Sequence, residues 1–73
     1  MKFTTTKYTS GKIHTYRSSE LLNGEPVRIR VGGTPLLGKH YIIKHPSLAT
    51  DYNTKPIFYN LASAKAFVAT LFN

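Results

Sequence analysis

Residues 57–73 change period part-way along, and that change constrains the fold more than any other feature of the chain. Ile57-Phe58-Tyr59 is β-branched and aromatic, as suits a short strand. Asn60 then offers a side-chain oxygen to the free amides of a following helix. From there Leu61, Ala64, Phe67, Val68 and Leu71 fall at helical spacing and make one apolar stripe. The opposite side holds Ala62, Ser63, Lys65, Ala66, Ala69 and Thr70, and the alanines favour a helix. A helix this short is marginal alone, so the rest of the chain must supply a surface for it.

The upstream sequence reads as that surface. Phe3-Thr4-Thr5-Thr6-Lys7-Tyr8 suits a first strand, Thr9-Ser10-Gly11-Lys12 a turn, and Ile13-His14-Thr15-Tyr16-Arg17 a second strand. Strict alternation there sets Ile13, Thr15 and Arg17 on one side and His14 and Tyr16 on the other. For residues 18–24 a short helical turn or irregular loop is preferred to a hairpin turn at Asn23-Gly24, because Glu20-Leu21-Leu22 has poor strand character. Val27-Arg28-Ile29-Arg30-Val31 is the clearest strand, with three aliphatic residues on one face and two arginines on the other. A glycine-rich connection carries the Leu36-Leu37 pair, which either tucks into the core or makes an exposed contact. Residues 39–45 make the next strand, which Pro46 stops. A polar connection follows, with Leu48 and Tyr52 as candidate anchors.

The expected fold is α+β: a small, mainly antiparallel sheet, three strands of it a meander, with the C-terminal helix packed on one face. The expected core is Ile13, Val27, Ile29, Val31, Ile43, Ile57, Leu61, Ala64, Phe67, Val68 and Leu71. Phe67→Ala is expected to cost roughly 3–5 kcal/mol.

At 73 residues the chain is expected to be one domain, 1–73, with a modest core. It has no cysteine, so neither disulfides nor thiolate metal ligands hold it together. It lacks an apolar run long enough for a signal peptide or a membrane span, and a soluble cytoplasmic monomer that engages no membrane is expected. Ten Lys and Arg against three acids give a net charge of +7, which draws the chain toward polyanions or acidic protein surfaces.

Chemistry-bearing motifs are sparse. Residues 33–39 fit G-x-x-x-x-G-K after a strand, but His40 stands where a phosphate-binding loop needs Ser or Thr, and strand-like residues follow instead of a helix. A hairpin connection is the better reading. His14, His40 and His45 lack the ligand spacing of a metal site and read as exposed additions to a basic surface. No paired carboxylates or supported nucleophile occur, so no catalytic residue, metal or cofactor is expected. The strongest candidate is the acid-free stretch holding Arg28, Arg30, Lys39, Tyr41 and Lys44, whose basic side chains could share a sheet face opposite the helix. The same charges could equally be a solvated face that guards strand edges. Met1, Lys2 and Phe3, with Phe72, offer a second, apolar contact if they stay exposed.

The chain, read as complete from Met1, cysteine-free, basic and ending strand-to-helix over residues 57–73, resembles the small RNA polymerase-binding regulators of bacteriophages, of the Xanthomonas phage type. The resemblance implies host takeover by a non-enzymatic protein in the bacterial cytoplasm. Such a protein binds host RNA polymerase, blocks promoter-specific initiation and allows terminator read-through (antitermination). The expected partner surface is then Met1, Lys2, Phe3, Arg28, Arg30, Leu36, Leu37, Lys39, Tyr41 and Lys44. The alternative is a small nucleic-acid-binding module using its exposed sheet face.

Overall fold

In a computed structural model, which describes residues 2–36, 38–48 and 56–72, five strands and one helix follow one another along the chain. They are β1 (Phe3–Lys7), β2 (Ile13–Leu22), β3 (Glu25–Thr34), β4 (Gly38–Lys44), β5 (Ile57–Phe58) and α1 (Leu61–Leu71). The strands form one antiparallel sheet in the order β1-β2-β3-β4-β5, a meander throughout. Helix α1 packs on β3, β4 and β5, giving the two-layer α+β arrangement.

The core is the seam between the layers. Val27, Ile29 and Ile43 from the sheet meet Ala64 and Val68 from the helix, all five buried. Phe3, Tyr16, Leu22, Tyr41, Leu48, Phe58, Phe67, Leu71 and Phe72 pack around them, half-buried. Asn60 caps α1 by accepting a 2.7 Å hydrogen bond from the Ser63 amide. Lys65, on the expected polar side, lays its ammonium over the rings of Phe3 and Tyr16, at 5.3 and 5.4 Å from their centroids.

Several expectations need correction. Residues 18–22 are strand, and Asn23-Gly24 is the two-residue hairpin turn between β2 and β3. Both turn residues have positive φ, 54° and 85°, the backbone pair that suits a strand's right-handed twist and that Asn-Gly adopts readily. Poor strand propensity in 18–22 is overridden by a bulge. Arg17 faces Arg28 and Leu21 faces Pro26, so β2 holds two residues more than β3 across this interval. Buried Ser18 fills the gap: its hydroxyl accepts from the Val27 amide at 2.9 Å and donates to the Glu20 carbonyl at 2.7 Å.

A second bulge, between Thr6 and Lys7, inserts His14 into β2 and breaks its alternation, so that Ile13 lines a surface cleft with Tyr16 and stays outside the buried core. Ile57 is also outside it, 43% exposed, because its register partner Ile42 lies on the sheet face away from α1. Val31 and Leu61 are half-buried at the margins. His45 is buried, against the expectation of an exposed histidine. Its Nδ1 accepts from the Ser47 amide at 3.0 Å, so Nε2 carries the proton and donates to the Leu22 carbonyl at 2.7 Å. That bond ties the end of β4 to the β2–β3 hairpin. Leu48 is a core anchor as expected, whereas Tyr52 lies outside the described residues.

Candidate functional site

Because α1 covers one face of the sheet, the register decides what the other face presents. Side chains alternate along each strand, so paired residues share a face. Arg17 pairs with Arg28, and Arg28 with Lys44; Thr4 completes that row on β1. The next row runs Thr6, Thr15, Arg30, Ile42, Ile57 across all five strands. Beyond it His40 pairs with Gly32. Neighbours along such a row sit about 4.5–5.5 Å apart at Cα. Four cations, all exposed, therefore occupy adjoining positions on β2, β3 and β4, and neither row contains an acid.

The geometry divides the residues expected to act together. Arg28, Arg30 and Lys44 share the open face. Tyr41 and Lys39 do not, because they pair with Val31 and Gly33 on the helix side. His45 leaves the basic set as a buried, hydrogen-bonded group. Arg17 joins it, and the signal for this was present: Arg17 alternates with Thr15 and stands beside Arg28 once β2 and β3 pair.

The terminal residues behave differently from a free apolar contact. Phe3 packs against the core beneath Lys65, and Phe72, just past α1, also packs against the core. Lys2 is exposed, with its carbonyl accepting from the Ser19 amide at 2.9 Å. Leu36 stands at the tip of the β3–β4 hairpin, 92% exposed. Met1 and Leu37 lie outside the described residues.

The hairpin also settles the phosphate-loop motif. Gly33 pairs with Lys39 and Thr34 with Gly38, so the segment closes as strand-turn-strand with no helix N-terminus to face a phosphate. Gly33 is required there: its φ is 123°, and a Cβ would stand 2.1 Å from the Gly38 carbonyl oxygen. The histidines are dispersed. His14 meets Tyr8 in a tilted ring pair with centroids 4.7 Å apart, His40 stands on the open face, and His45 is buried. Among the described residues no three His, Asp or Glu side chains cluster as metal ligands. No described helix is long and apolar enough to cross a membrane.

The open face is built to attract. Its cations reinforce one another's field, and Ile42 and Ile57 lie side by side next to Arg30 as an apolar pair, the latter 43% exposed. No aromatic side chain lies in either row, and the ring placed beside them is the His40 imidazole. No family model, curated protein or solved structure matches this chain.

Proposed function

We propose that this chain is a non-enzymatic regulator that docks through the open face of its sheet on an acidic protein surface, and that the partner is bacterial RNA polymerase. The observation that carries this reading is the make-up of that face: Arg17, Arg28, Arg30 and Lys44 beside the Ile42–Ile57 pair, with no acid in either row. An apolar patch rimmed by charge is the usual anatomy of a protein interface, and complementary charge speeds and orients docking. The resemblance to small phage regulators supplies the identity of the partner. It also supplies the consequence, inhibition of promoter-specific initiation with read-through of terminators in a bacterial cytoplasm.

The test is retention from nuclease-treated bacterial lysate on the immobilised protein. Polymerase subunits held by the native chain and lost with Arg28→Ala/Arg30→Ala support the reading. Absence of the subunits, or their equal retention by the double variant, defeats it. The unbroken Arg17–Arg28–Lys44 row favours a second reading, direct contact with nucleic-acid phosphates. In that case retention disappears with nuclease, and affinity falls log-linearly with salt.

A further inference from the structure

Helix α1 leaves part of its own side of the sheet uncovered. Between the β1–β2 turn and the β3–β4 hairpin tip lies a cleft of about 670 Å³, and no residue of α1 lines it. Ile13 and Val31 are apolar lining residues, and Tyr8, Tyr16 and Tyr41 line it as well, Tyr16 with the Lys65 ammonium 5.4 Å from its ring centroid. Lys12 and Lys39, both exposed, line it from opposite hairpins, and none of its lining residues is acidic.

We propose that this cleft binds single-stranded nucleic acid, with a base against the tyrosine rings and the neighbouring phosphates on Lys12 and Lys39. Three features select this occupant. The volume falls within the range of small-molecule sites, about 300–1,000 Å³, and gives room for one splayed-out nucleotide. Aromatic rings flanked by cations are the combination that holds single strands, through stacking that tolerates any base and through phosphate contacts. The rim is also open to a ligand: Tyr8, one of the lining residues, is 55% exposed. An apolar peptide would gain little from the two lysines. The cleft faces away from Arg28 and Arg30, so mutation separates the two surfaces and the proposal stands independently of polymerase docking.

The test is fluorescence anisotropy of a short fluorescein-labelled DNA single strand of mixed sequence at low salt, beside the same sequence as a duplex. The single strand is expected to bind more tightly than the duplex. Tyr8→Ala should weaken it at least about fivefold, the low end of what losing one stacked base does. Lys39→Gln should weaken it and lower the salt slope by about 0.7. Arg28→Ala/Arg30→Ala lowers the overall charge and should weaken single-strand binding less than Tyr8→Ala does. Tyr8 is exposed, so a preserved melting temperature separates lost binding from lost folding. Methyl resonances of Ile13 and Val31 should shift on titration with the unlabelled strand. The proposal is overturned if the native chain does not bind the strand, or binds the duplex as well. It is also overturned if only the arginine variant loses affinity, or if the shifts fall on Ile42 and Ile57 alone.

Discussion

Ser18→Ala is expected to destabilise the protein far more than so small a change suggests. The Ser18 hydroxyl stands in for a strand partner where β2 bulges past β3, and it is the acceptor for the Val27 amide at 2.9 Å. Val27 is fully buried, so without that oxygen its amide has no water to turn to. A buried donor left unpaired costs about 1–3 kcal/mol. The Glu20 carbonyl, the other partner, belongs to an exposed residue and can be solvated, so it adds little. A loss of about 2 kcal/mol is a large share of the roughly 4–11 kcal/mol available to 73 residues. In a domain of this size it lowers the melting temperature by roughly 8–16 °C. Thermal unfolding followed by circular dichroism measures it, with Ser19→Ala, an exposed neighbour, as the control expected within about 0.5 kcal/mol of the native chain. If the two variants melt together, the hydroxyl does not support the bulge and the reasoning fails. The bulge also bears on the site, because it begins just after the Arg17–Arg28 pair.

Phe67→Ala should cost roughly 2–3 kcal/mol, below the value for a fully buried ring, because Phe67 is half-buried beside Phe58 at 5.3 Å between centroids. Denaturant unfolding that returns less than about 1 kcal/mol would contradict the helix-on-sheet packing. Asn60→Ala removes the 2.7 Å cap to Ser63 and should cost about 1 kcal/mol, with Asn60→Asp recovering most of it; the melting temperatures report both. Gly33→Ala sets a Cβ against the Gly38 carbonyl at a φ of 123°, and should cost at least about 1–3 kcal/mol in the same assay.

The helix-on-sheet plan was legible because its signals are local. The alternation of Val27, Ile29 and Val31, the cap at Asn60 and the stripe from Leu61 to Leu71 each rest on a few adjacent residues. What was not legible depends on pairing. Alternation sorts residues into two sets but does not say which set meets the helix, so Ile57 looked like core and Tyr41 like a companion of Arg28 and Arg30. Only the pairs Ile42–Ile57 and Val31–Tyr41 assign them. Bulges hide more thoroughly, since the extra residues at Ser18 and His14 disturb the period without leaving a motif. The hairpin at Asn23-Gly24 carried the stronger signal, and the low strand propensity of Glu20-Leu21-Leu22 was the weaker guide. The burial of His45 rests on a partner 23 positions away, the Leu22 carbonyl, beyond the reach of any local pattern.

The most direct test of the docking account is surface plasmon resonance between purified, nucleic-acid-free bacterial RNA polymerase and this protein, native and as Arg28→Ala/Arg30→Ala. The account predicts binding by the native chain that persists at moderate salt, and at least about tenfold weaker binding by a double variant with an unchanged melting temperature. No binding by the native chain, or equal binding by the two proteins, would contradict it.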